Sequence, residues 1–109
     1  MSKFDDFIGG VKDGMGPLVK EFVGGLKQDA TTDMVAFLKA KNDDLKSWTE
    51  SLLKGEMTKD EFAMLVRGSA SLLELRALRI AGVQLARLQR LRDAFFNLVI
   101  DKAVGTFLP

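Results

Sequence analysis

Few side chains in this chain can do chemistry, and their types narrow what that chemistry can be. The 109 residues include no histidine, cysteine or tyrosine. That removes the usual general base near neutral pH, the thiolate nucleophile and the common transition-metal ligands. Carboxylates remain, adjacent to one another at Asp5/Asp6, Asp43/Asp44 and Asp60/Glu61. Neighbouring residues on a helix point about 100° apart, so none of these pairs converges on a substrate as an acid and a base. They read as solvated faces or helix caps. A carboxylate-bridged metal bundle draws on Glu-x-x-His motifs, for which this chain has no histidine. Ser69 and Ser71 have no evident base partner. No GxxxxGK[ST] phosphate loop occurs, and no strand precedes the glycines before Gly25, so a dinucleotide fingerprint is not credible. The expectation is a protein that is not an enzyme, with no cofactor, no metal and no small-molecule substrate. Lysine or carboxylate chemistry in a pocket shared between subunits is the one catalytic route left open.

The second set of candidates is cationic. Arg76, Arg79, Arg87 and Arg90 fall on one arc of a helix and form a face for an anionic partner, able to follow phosphates. No helix-turn-helix signal precedes this ladder, and no aromatic side chains interleave with it for base stacking, so nucleic acid is not the expected partner. The ladder belongs to a wider segregation. Every arginine lies at Arg67 or beyond, and every lysine but Lys102 lies before it, while the net charge is only +1. The simplest reading packs an acidic N-terminal half on a basic C-terminal half. The functional reading turns the basic face toward phosphate or anionic lipid.

These candidates must be positioned by helices. Met57-Thr58-Lys59-Asp60-Glu61-Phe62 has the form of a helix start, with Thr58 and Glu61 as a reciprocal capping box and Met57 and Phe62 as a hydrophobic staple. Beyond it, Leu, Ala, Arg and Gln dominate from Leu72 to Leu91, all strong helix formers apart from their interruptions. Ala77, Ala81, Gln84, Leu88, Leu91, Phe95 and Leu98 recur by threes and fours, and Leu75, Leu78, Gly82, Leu85, Phe96, Val99 and Ala103 form a second stripe beside them. The spacing predicts one long helix over 58–105, with Gly68 and Gly82 as the only plausible breaks. Such a helix is roughly 69 Å long, against a radius of gyration near 13 Å for a compact chain of this length. Its excess apolar surface implies another chain, and Leu85, Leu88, Leu91, Phe95, Phe96, Leu98 and Val99 are the expected oligomer interface.

The middle of the chain, 31–54, reads as one helix. Thr31, Thr32 or Asp33 caps it, Met34, Val35, Leu38, Leu45, Trp48, Leu52 and Leu53 form its apolar face, and Gly55 ends it. The short connection to Thr58 folds it back on the long helix. Residues 1–28 form a glycine-rich amphipathic segment, read as two short helices separated at Gly16–Pro17. Its face of Phe4, Phe7, Ile8, Val11, Leu18, Phe22 and Val23 suits docking on a partner or a membrane surface. Its glycines, Gly10 and Gly14 among them, would admit a closely packed neighbour.

The expected architecture is therefore all-α: a helical hairpin with one long C-terminal helix and an N-terminal amphipathic helix, forming an oligomeric bundle in a single domain. The expected function is that of a non-catalytic, self-associating structural or assembly component, a homo-oligomer. Two alternatives stand beside it: a peripheral membrane protein using its N-terminal segment, and a small monomeric four-helix regulatory or adaptor domain, with the long helix folding back near Gly82. The N-terminus has no signal-peptide pattern, and the longest uncharged apolar run of the C-terminal part, Ala94 to Ile100, is far short of a membrane span. A cytoplasmic location is expected.

Overall fold

Leu73, Leu75 and Leu78 are all buried, and that fact decides the architecture. Residues two apart on a helix point about 200° apart, so Leu73 and Leu75 cannot both reach one core from a continuous helix. The computed structural model, which describes residues 2–69, 71 and 73–108, breaks the helix there. Its helices are α1 (Lys3–Val23), α2 (Lys27–Ala40), α3 (Asn42–Leu53), α4 (Lys59–Arg67), α5 (Arg76–Ile80) and α6 (Leu85–Phe107), with a 3₁₀ turn at Gly24–Leu26. Among the described residues the secondary structure is helical throughout, joined by turns, with no strand.

The single long helix expected over 58–105 is thus three helices, although Ala70 and Leu72 of that range lie outside the described residues, as do Met1 and Pro109. The molecule measures 43 × 26 × 20 Å, too short for a rod of roughly 69 Å. Both suspected glycines lie at breaks, by different means. After Gly68 the chain leaves the helix, and Leu75 adopts a left-handed conformation (φ 52°, ψ 42°) that carries it into the core. Such a conformation costs a leucine roughly 1–2 kcal/mol, a cost that its burial offsets. Gly82 (φ 91°) ends α5 in a Schellman motif. Its N–H donates to the Arg79 carbonyl at 3.1 Å, and the Val83 N–H donates to the Leu78 carbonyl at 3.0 Å.

The centre of the core is the pairing of α1 with α6. Phe7, Val11, Met15 and Val19 recur every fourth residue and are all buried. Phe7 meets Phe107 edge-on at 5.8 Å, while a Cβ on Gly10 would touch Lys102 and one on Gly14 would come 2.8 Å from Leu98. Contacts that ascend one helix while descending the other make the pair antiparallel. Gly14 supplies the close approach that its spacing suggests. The two short helices expected in this segment are one helix that runs through Pro17. Interrupting it would put the buried stripe out of register, and that packing outweighs the local cost of proline. The chain turns instead at Gly24, where φ is 45°.

The middle helix also differs from expectation. It starts at Lys27 rather than near Thr31, and it is divided at Lys41 into α2 and α3. Thr32 is no cap but donates within α2 to the Gln28 carbonyl at 2.9 Å. Met34, Phe37 and Leu38 are buried from α2, and Leu45 and Leu52 from α3; Phe37 sits against Phe95 and Phe96 of α6. Trp48 is half-buried, with the Lys41 ammonium 5.9 Å from its ring centroid, while Leu53 is exposed. Gly55 ends α3 in a second Schellman motif, with Gly55 donating to Leu52 and Glu56 to Ser51. The Thr58–Glu61 capping box forms in both directions at 3.1 and 3.0 Å, with Phe62 buried and Met57 packed against the core.

Candidate functional site

The apolar side chains expected on two outer surfaces are used inside the molecule. Of the expected oligomer interface, Leu88, Leu91, Phe95, Phe96 and Val99 are buried within the chain's own core, and Leu98 is half-buried against Gly14. Only Leu85 is open, at 65% exposure. On the N-terminal face, Phe7 and Val11 are buried, and Phe4, Ile8, Leu18, Phe22 and Val23 are half-buried against the core. The reason is that α1 packs on α6, while α2, α3 and α4 cover the rest of α6.

The carboxylate pairs lie in the first turns of three helices: Asp5/Asp6 in α1, Asp43/Asp44 in α3 and Asp60/Glu61 in α4. There they face the positive ends of the helix dipoles. All six are exposed. The Ser69 hydroxyl donates to the Leu65 carbonyl at 3.2 Å, and Ser71 is exposed. Among the described residues, no group of three or more His, Cys, Asp or Glu side chains is placed to hold a metal ion. No described helix is long and apolar enough to cross a membrane.

Two concave places among the described residues bear on these candidates. An open groove of about 810 Å³ runs beside α2, lined by Lys27, Gln28, Thr31, Val35 and Lys39, and the buried Thr31 Oγ1 has no hydrogen-bond partner among the described residues. A smaller hollow of about 330 Å³ lies among Leu73, Glu74, Arg76, Arg79 and Arg92. Its three guanidinium groups do not form an anion cradle. Arg92 Nε donates to the Leu73 carbonyl at 3.0 Å, and Arg76 pairs with Glu74 at 2.9 Å. Of the three, Arg79 has neither an ion pair nor a side-chain hydrogen bond among the described residues. Asp33 of α2 lies close enough to Glu74 to feel its charge. Its carboxyl is held above the usual range by partial burial first, then by Asp29 and Glu74.

The arginine ladder occupies a different kind of surface. From Arg76 to Arg90 every residue is exposed except the buried Leu78 and Leu88 and the half-buried Val83. These three fasten a projecting corner formed by α5, the Ala81–Gln84 turn and the first turns of α6. Arg76, Arg79, Arg87 and Arg90 flank the turn, and between them stand Ile80, 81% exposed, and Leu85, 65% exposed. Between Glu74 and Asp93 the chain carries five arginines (76, 79, 87, 90 and 92) and no acid, a local charge of +5.

No acid of the N-terminal half is in direct contact with these arginines among the described residues. The ion pairs among the described residues are Lys41–Asp44, Lys54–Glu50 and Arg76–Glu74, none joining an arginine to the first half of the chain. Leu53, Met64 and Leu65 are exposed elsewhere, but the charges near them in sequence are of both signs. Ile80 does not stand out in the sequence, because the helical stripes pass on either side of it. Its exposure follows only from the break after Gly68 and the reversal at Gly82. The chain matches no known protein family, no curated protein and no solved structure.

Proposed function

We propose that this chain is a small, non-catalytic docking domain that meets an anionic partner through the corner between α5 and α6. The observation that carries this reading is the pairing of two open aliphatic side chains, Ile80 and Leu85, with an arginine-rich stretch that contains no acid. A core that closes without a second chain supports the adaptor reading over an obligate assembly component. The charge argues the same way. A two-fold interface built on this corner would set +5 against +5, which like-charge repulsion disfavours.

The test is amide-resolved NMR titration of the whole chain with short polyglutamate, a DNA duplex and anionic lipid vesicles. At least one of these is expected to perturb or broaden residues 76–90 selectively. Silence at the corner with all of them overturns the reading. Light scattering across concentrations is expected to give the monomer mass. A stable oligomer whose mass falls on Ile80→Asp/Leu85→Asp substitution would instead make a second copy the occupant.

A further inference from the structure

We infer that the occupant of the α5–α6 corner is the surface of an anionic lipid bilayer, with Ile80 and Leu85 entering the acyl boundary and the arginines contacting headgroup phosphates. This rests on the docking reading above and specifies its partner. The corner is open apart from its three anchoring residues and carries two long aliphatic side chains, 81% and 65% exposed, separated only by Ala81, Gly82, Val83 and Gln84. Holding such side chains in water is unfavourable, and a bilayer offers them an apolar layer behind a charged one. Arg79, Arg87 and Arg90 have no ion pair among the described residues, so they are available to phosphates. Arg76 is shared with Glu74, and Arg92 is held by the Leu73 carbonyl.

Competing anionic partners fit this corner less well. Nucleic acid would meet the guanidinium groups, but an aliphatic tip serves it only by wedging between base steps, which costs unstacking energy that a bilayer does not demand. The stretch from Leu75 to Arg92 has no aromatic side chain on which a base could stack. An acidic protein would find little apolar surface here, since two aliphatic side chains supply little of the about 800 Å² that each partner of a standard interface buries. A bilayer deforms around a small wedge and presents negative charge at the depth of the flanking arginines. The geometry also explains a corner that is firmly built yet open. Leu78, Val83 and Leu88 fix it to the core, while the Gly82 Schellman motif turns Ile80 and Leu85 outward.

The experiment uses the full chain with vesicles of phosphatidylcholine alone or containing phosphatidylserine. The chain has no cysteine, so Leu85→Cys carries a single environment-sensitive fluorophore at the tip. Vesicles containing phosphatidylserine are expected to shift its emission to the blue and to sediment the chain; phosphatidylcholine vesicles are expected to do neither. Because the label alters the tip, sedimentation is repeated with the unlabelled chain. Each of Arg79→Gln, Arg87→Gln and Arg90→Gln is expected to weaken sedimentation about fivefold, and Ile80→Asp tenfold or more, with unchanged melting. Absence of vesicle binding, or binding that Ile80→Asp leaves unchanged, overturns the inference. If vesicles fail while polyglutamate or DNA perturbs residues 76–90, the bilayer is excluded and the docking corner stands. If no probe perturbs these residues, both readings fall.

Discussion

Arg92 Nε donates to the carbonyl of Leu73 at 3.0 Å, across 19 positions of sequence. The bond ties α6 to the stretch that interrupts α4 and α5. It satisfies a carbonyl which, once the chain leaves the helix, has lost its helical partner. Arg92 is half-buried and Leu73 is buried, so water replaces the bond poorly. Arg92→Ala is expected to lower stability by about 1–2 kcal/mol, the range for a partly buried bond from a charged donor. Urea denaturation measures this. Wild-type stability in the variant would mean that the carbonyl is satisfied without the guanidinium.

Two glycines with equally open surroundings should respond oppositely to alanine. A Cβ on Gly9 meets nothing within 4 Å, and the residue lies inside α1. Gly9→Ala is therefore expected to stabilise the fold by about 0.5–1 kcal/mol. A Cβ on Gly82 also meets nothing, but its φ of 91° is unfavourable for any side chain. Gly82→Ala is expected to destabilise by about 1–2 kcal/mol, and to loosen the α5–α6 corner. Thermal melting of both variants checks the sign. Gly14→Ala should gain less than Gly9→Ala, because its Cβ would come 2.8 Å from Leu98 and that side chain must move.

What was legible in the sequence follows the range of the interaction that sets it. The capping box at Thr58 and Glu61 and the helix end at Gly55 are written within a few residues, and both form as read. The stripe of Phe7, Val11, Met15 and Val19 is visible as a period, but its length through Pro17 is not, because α6 enforces it from the far end of the chain. Gly68 is legible as a possible break, but not that the helix must end there, for a similar reason. Gly68 can remain helical, and what demands the break is the joint burial of Leu73 and Leu75 by distant partners. The candidate site was half legible. Arg76, Arg79, Arg87 and Arg90 stand out as a ladder in any helical projection. The aliphatic tip does not, since a continuous helix would have placed Leu85 on an apolar seam and would have left Ile80 unremarked.

Asp33 gives the fold a pH dependence of unusual sign. Burial, Asp29 and Glu74 raise its pKa above the ordinary aspartate value of 3.8, so the folded state prefers the protonated acid. The charged form therefore opposes folding at neutral pH. That penalty fades as pH falls through the raised folded pKa and is gone below the unfolded value. Asp33→Asn is expected to raise stability at pH 7 and to lose this advantage in acid. Denaturation midpoints from pH 3 to pH 7 measure the difference, and a gain that persists unchanged at pH 3 would assign it to something other than the charge.

Phe95 distinguishes a core residue from an intersubunit contact. It is 0% exposed, meeting Phe37 edge-on at 5.8 Å and Phe96 at 5.9 Å. These partners belong to the same chain, so removing the ring leaves a cavity inside one molecule rather than a bare face between two. Phe95→Ala is expected to cost about 3–5 kcal/mol, a large part of the 5–15 kcal/mol that holds a typical domain folded. The loss should appear in the denaturation midpoint, while the folded fraction keeps its mass in light scattering. A fold that stays intact while its mass drops would place Phe95 between chains and return the long-helix assembly to consideration. Ile80→Asp is the complementary variant. Its side chain is 81% exposed, so it should leave the midpoint within about 0.5 kcal/mol of wild type, because no packed neighbour loses a contact.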